Sequence, residues 1–263
     1  MIISLIEFLL FFGIILSMEF FIAFLFFIFV VFVIRLGTKQ PDKKSFNNLQ
    51  YRHYNSYDKR LDNLTSADRG TQSERDLVSY LLDYGISPKA IFHDLYVKNG
   101  QYGFSQIDIV VATKVGLIVF EVKDYAGWIF GKGRQHQWTQ VLDYGNQKNK
   151  FYNPILQNAS HIRVLKKQSK QFKNLPFYSV IVFAGNSELR DVSFIPDKTF
   201  VIKPHRLRDV LDIIFDNQNA EYTDKHEVIR ILKSAVDNGN DSDTQIRHIN
   251  NIKDMLGTDR VLD

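Results

Sequence analysis

The 263-residue chain has no cysteine. That excludes a disulfide framework and any zinc site built on thiolates. Its seven histidines are scattered and show no metal-ligand spacing; His136, for one, stands alone. No basic residue precedes the first apolar run, and that run is too long for a cleavable signal peptide. Internal repeats are also missing. Acidic residues are absent from Tyr144 to Ser187, where seven Lys/Arg fall. Solvated helix faces usually carry both signs, so a single-sign stretch favours a polyanionic partner. The net charge is only +4, and its distribution says more than its size.

The longest apolar run lies at the start. From Phe8 to Ile34, 27 residues, only Ser17 and Glu19 are notably polar. A bilayer span needs about 20 apolar residues, so residues 1–35 are expected to form one tilted transmembrane anchor in contact with membrane lipid. Glu7 is the only charge before Phe8, whereas Arg35, Lys39, Lys43 and Lys44 follow the run. The positive-inside rule then places the N-terminus outside and the C-terminal domain in the cytoplasm. Glu19 is either a functional intramembrane acid or a residue near the outer interface, as a span over Ile14–Ile34 would leave it. Residues 36–65 read as a juxtamembrane linker. Residues 35–62 hold seven Lys/Arg against three Asp, suited to anionic headgroups or simply to a solvated tether.

The chemistry concentrates in Phe104–Lys123, which reads as two strands joined by a tight turn at Gly116. Pairing Thr113 with Gly116 places Asp108 opposite Glu121 and Gln106 opposite Lys123. Alternation then gives an apolar face of Ile107, Ile109, Val111, Ile118, Phe120 and Val122. The other face carries two carboxylates and an ammonium at one end. Buried charges are costly unless paired or holding a metal. Asp108 and Glu121 suit a hard divalent ion, Mg²⁺ or Mn²⁺, with Lys123 beside a scissile phosphate. The plain alternative is an ordinary acid–lysine cluster on a half-exposed sheet.

Other elements follow from periodicity. Glu74, Leu77, Val78, Leu81 and Leu82 share a helical face, and Gly85 ends that helix. Glu74 is therefore either a further metal ligand or a first-turn acid facing the helix dipole. Ala90–Lys98 reads as a strand. Gly127–Trp138 reads as a further hairpin, whose Trp128, Phe130, Trp138 and Tyr144, with Lys132, Arg134 and His136, either stack on bases or form a minor apolar cluster. Asn153 is an N-cap and Pro154 the first residue of a helix to about Ser169. Ile155, Ala159, Ile162 and Leu165 form its expected buried stripe. Arg163, Lys166, Lys167, Lys170 and Lys173 form a basic face fit for nucleic acid. Tyr178–Ala184 and Thr199–Ile202 are expected strands, and Leu207–Phe215 and Glu227–Val236 expected helices. From Asp209 to Asp263 there are twelve acids against six Lys/Arg.

The order Gly70…Glu74-Arg75, Gln106-Ile107-Asp108, Glu121-Val122-Lys123-x-Tyr125-x-Gly127, Trp138 and Asn153-Pro154-Ile155-Leu156-Gln157-Asn158 resembles the nuclease-related domain, NERD. The likeness covers about residues 66–185. It implies an α/β fold similar to PD-(D/E)xK nucleases: a restriction-endonuclease-like mixed sheet flanked by helices, with an αβββαβ core. It also implies that Gln157 matches the glutamine that approaches the active site in many such nucleases. The expected organisation is an anchor (1–35), a linker (36–65), a nuclease-like domain (66–216) and an acidic, mostly helical extension (217–263). The expected activity is metal-dependent hydrolysis of DNA or RNA at the cytoplasmic face of a membrane. The alternative is a nucleic-acid-binding or scaffold module with little or no catalysis.

Overall fold

The computed structural model describes residues 64–65, 69–101, 103–241 and 244–245. The expected anchor, and the linker up to residue 63, lie outside these. No helix among the described residues is long and apolar enough to cross a membrane.

Helix α1 (Gln72–Tyr84) starts at the N-cap Thr71 and stops at Gly85, whose φ of 104° only glycine adopts freely. Three strands follow: β1 (Ile91–Asn99), β2 (Gly103–Thr113) and β3 (Gly116–Asp124). The chain then enters β4 (Gly127–Lys132), β5 (Gln137–Leu142) and β6 (Gln147–Tyr152) before helix α2 (Pro154–Lys166). Strands β7 (Phe177–Ala184), β8 (Ser187–Ser193) and β9 (Thr199–Ile202) precede helices α3 (Leu207–Phe215) and α4 (Lys225–Asn238).

The strands form two mixed sheets, ordered β1-β2-β3-β7-β9 and β6-β5-β4-β8. The expected helix–strand–strand–strand–helix–strand order runs through the first of them. The second sheet grows from its middle. Strands β3 and β7 are parallel neighbours, and each breaks and runs on as β4 and β8, again parallel neighbours. The Gly127 N–H bridges the break to Asn186 O at 3.0 Å. Thus one pair of strands supports both sheets.

Helices cover both faces of the first sheet. On one, Leu77, Val78 and Leu81 of α1 and Leu207, Val210 and Leu211 of α3 meet Ile109, Val111, Ile118, Phe120 and Val180. On the other, Val164 and Leu165 of α2 meet Leu95, Ile107, Val110, Leu117 and Val119. Helix α4, in the segment expected beyond residue 216, contributes Val228, Leu232 and Ala235 to this same cluster. A third cluster ties the second sheet to α2 through Ile129, Trp138, Ile155, Ile181 and Phe183.

Candidate active site

The β2–β3 hairpin has the register that its turn dictates, from Thr113 opposite Gly116 to Ile109 opposite Phe120. There the ladder ends. Asp108 and Glu121 would form the next pair, but the ladder does not reach them, and the Val122 N–H donates to the Asp108 side chain, Oδ2, at 2.7 Å. One expectation fails here. Ile107 does not share a face with Ile109 and Val111; it packs in the cluster on the opposite side of the sheet. The cause lies on β1, where Asp94 has a φ of 53°. One residue out of extended conformation shifts the two-residue alternation. Phe92 and Leu95, three apart, consequently face the same way. Strand β2 stays paired with β1 on both sides of this point and changes phase with it. Gln106, expected opposite Lys123, pairs with Tyr96 and donates to Asp94 Oδ1 at 2.7 Å. The β2–β3 pairing is thus interrupted at the level of Asp108, a notch in the ladder.

Glu121 lines that notch and is only 1% exposed. Lys123 shares its face, as alternation requires, and its Nζ lies 2.6 Å from Glu121 Oε1. The other oxygen, Oε2, lies 3.3 Å from His161 Nε2 of α2. The two atoms are not aligned for a hydrogen bond, and both are buried without a partner. His161 Nδ1 is held by Ser105 Oγ at 2.9 Å. Burial pushes the Asp108 carboxyl well above the usual carboxylate range, and the nearby Glu121 and Glu74 push it further. Burial alone would lower the Lys123 ammonium, but Glu121 and Asp108 outweigh it and raise it.

Glu74 is the first-turn acid that its sequence position allowed. It is the N3 residue of a capping box: Thr71 Oγ1 and Thr71 N donate to Glu74 Oε1 at 3.0 and 3.2 Å. It also faces the sheet, with Oε2 at 3.1 Å from His93 Nε2 of β1. Burial alone would raise its carboxyl, but the bonds from His93 and Thr71 outweigh that and lower it. A side chain on Gly70 would collide with this pair, since its Cβ would lie 2.5 Å from both Glu74 Oε2 and His93 Nε2. Glu74 thus acts on Asp108 by charge while its own oxygens are engaged.

Among the described residues, no three Asp, Glu or His side chains converge as a complete metal cluster. The notch nevertheless fits a hard cation. It holds two carboxylates, a Glu121 oxygen with no donor, and an Asp108 that its neighbours disfavour as an anion. Such a donor set suits Mg²⁺ or Mn²⁺, whose remaining positions water and a phosphate would fill.

Helix α2 presents polar residues to this site. Asn153 caps it, accepting from Ile155 N at 2.9 Å, and Pro154 opens it. The buried face is Ile155, Asn158, His161 and Leu165; Ala159, expected inside, is exposed. The reason is polar: Asn158 Nδ2 donates to Val119 O and Ser179 Oγ, both at 2.9 Å. Periodicity of apolar residues carried no sign of Asn158, His161 or His93 as inward-facing groups. Gln157 is half-buried in the first turn, one residue from Asn158. Arg163, Lys167, Lys170 and Lys173 are exposed, and Lys166 lies over the Phe177 ring.

The expected hairpin is β4–β5, but its tryptophans do not form one stacking platform. Trp138 is fully buried, stacked on Phe183 with centroids 6.0 Å apart. Trp128 is covered by Arg190 at 4.9 Å. Lys132 and Arg134 are exposed at the β4–β5 turn, and Tyr144 is 93% exposed at the β5–β6 turn.

Residues 69–184 match the nuclease-related domain family. The match takes in Glu74, Asp108, Glu121, Lys123, Gln157 and His161 and ends where β7 does. An uncharacterized protein of Bacillus anthracis is 28% identical over 166 residues, 62% of this chain and 75% of that protein. No solved structure matches the chain.

Proposed function

We propose that the domain hydrolyses phosphodiester bonds of nucleic acid at the notch between β2 and β3, on a restriction-endonuclease-like core. The observation that carries this reading is the meeting of Asp108, Glu121 and Lys123 where the ladder ends, inside the segment that matches a nuclease-related domain. Asp108 and Glu121 would hold the cation. When bound, that ion polarises a phosphoryl oxygen and lowers the pKa of its water. Lys123, whose ammonium Glu121 and Asp108 favour, would serve as a positive charge beside the reacting phosphate. Glu121 fixes that ammonium at 2.6 Å, and His161 backs Glu121 from α2. The exposed basic face of α2 supplies contacts to the phosphate backbone.

The same reading includes the anchor. Residues 1–35 would hold the domain at the cytoplasmic face of a membrane. The substrate is then nucleic acid, DNA in the first instance, that comes to the membrane zone. A second reading, binding without turnover, is favoured by one observation: both oxygens of Glu74 are already engaged.

The full chain, purified in detergent, should cut labelled DNA or RNA with Mg²⁺, and EDTA should stop it. Cutting that persists in EDTA or in the Asp108→Asn chain would refute the catalytic reading. Salt-sensitive binding without any cutting would select the second.

A further inference from the structure

Some distance from the notch, Phe194 is held in an unusual position. It follows the last residue of β8, has a φ of 55° and is 75% exposed. The left-handed region is unfavourable for a bulky side chain, and such residues persist where surrounding structure forces them. Here the forcing contacts are visible. The Gly133 N–H donates to Ser193 O at 2.9 Å, and a Cβ on Gly133 would lie 2.0 Å from Phe194 O. Two backbones therefore pack directly, and the aromatic ring is turned outward.

The ring has cationic company. Lys132 Nζ lies 5.7 Å from the Phe194 centroid, and Lys132, Arg134, Gln135, Phe194, Ile195 and Pro196 line a groove of about 580 Å³. The turn that presents both cations is fixed from below. Asn153 is fully buried, and its Nδ2 donates to Lys132 O, Gly133 O and Gln135 O at 3.3, 3.1 and 2.6 Å. The Lys132 N–H in turn donates to Gln135 Oε1 at 2.9 Å. The groove is thus built on rigid elements, with one exposed aromatic face, two cations and no acidic lining residue.

We propose that this groove seats one unpaired nucleobase on Phe194, with the flanking phosphates on Lys132 and Arg134, so that the protein engages nucleic acid as a single strand. The inference deepens the nucleic-acid reading above but stands on separate residues. A flat π-face stacks on any base, while cations beside it read the backbone. A base inside a duplex is already stacked and cannot present that face. Strand β4 continues β3, so nine residues at about 3.3 Å each put Lys132 at most roughly 30 Å from Lys123. A strand of several nucleotides bridges that distance.

The test uses the full chain in detergent, carrying Asp108→Asn and kept in EDTA so that nothing is cut. Fluorescence anisotropy follows labelled oligo-dT, oligo-U and a duplex. Phe194→Ala should weaken single-strand binding about tenfold, Phe194→Trp should preserve it, and duplex binding should not change. Phe194→Gly removes the ring and relieves the left-handed strain. It should melt no lower than its parent while losing the same affinity, which separates stacking from folding. Equal binding by all variants overturns the proposal, as does an equal loss on duplex. Loss of binding to anionic vesicles, with oligonucleotide binding intact, overturns it in favour of a lipid surface. With cutting followed separately on the wild type in Mg²⁺, Phe194-dependent binding without any cutting leaves this proposal standing and removes only the catalytic one. Cutting with Phe194-independent binding does the reverse.

Discussion

Asp108→Asn is expected to lower phosphodiester cleavage about a thousandfold and, in the same protein freed of metal, to raise the melting temperature. The loss follows from removing a cation ligand worth several kcal/mol in the transition state. The gain follows from the sign of the Asp108 shift. Burial, Glu121 and Glu74 raise its folded pKa well above the usual carboxylate range. A raised carboxyl contributes stability that is fully present below the unfolded value and is lost as pH rises through the folded one. Above that window the native notch carries a disfavoured anion, whereas asparagine keeps an acceptor for the Val122 N–H without the charge. An uncompensated buried charge costs about 1–3 kcal/mol, or roughly 2–12 °C for a domain of this size. Thermal melts in EDTA across pH should show the two proteins converging in acid and separating toward neutral pH. A variant that melts below the wild type throughout would mean that the Asp108 carboxylate is already compensated.

Lys123→Met should act in the opposite sense on stability. Glu121 is 1% exposed and Lys123 is its 2.6 Å counter-ion. Removing one partner of a buried pair costs about 3–5 kcal/mol because a charge stays behind. The melting temperature should fall by roughly 6–20 °C at neutral pH. In the wild type, the raised Lys123 pKa contributes stability below the ordinary lysine value, lost as pH climbs through the folded one. The deficit of the variant should therefore shrink in alkali, where the wild type loses that contribution. Adding Glu121→Gln should recover much of the stability while the protein stays inactive. A deficit that is uniform across pH, with no recovery in the double variant, would show that Lys123 matters through packing alone.

The sequence made some of this site readable and hid the rest for physical reasons. The β2–β3 register was legible because a two-residue turn fixes it and the apolar arms alternate. It carried Asp108 and Glu121 to the same level, but not the phase change at Asp94, which depends on one backbone angle. Asn153 and Pro154 announced the start of α2, and Gly85 the end of α1. Strands β6 and β8 were silent: QKNKFY and SELRDVS are polar and largely exposed, with no apolar alternation to read. Trp138 stood open between a binding aromatic and an apolar cluster because composition cannot tell a stacked core ring from an exposed one; its stack on Phe183 selects the cluster. Phe194, the aromatic that is exposed, is isolated in sequence and marked only by its backbone. His93 and His161 come to Glu74 and Glu121 from elements far away in the chain, so no local spacing could reveal them.

The most direct test of the account is calorimetric titration of the metal-free full chain with Mg²⁺ or Mn²⁺, in two buffers of different ionisation heat. Asp108 and Glu121 should bind one ion per chain, and at a pH below the folded Asp108 value, where the raised carboxyl still holds its proton, binding should release that proton. The heat should therefore differ between the buffers, and Asp108→Asn should abolish saturable binding. No saturable binding by the wild type, or equal binding by the variant, would contradict the notch as a cation site.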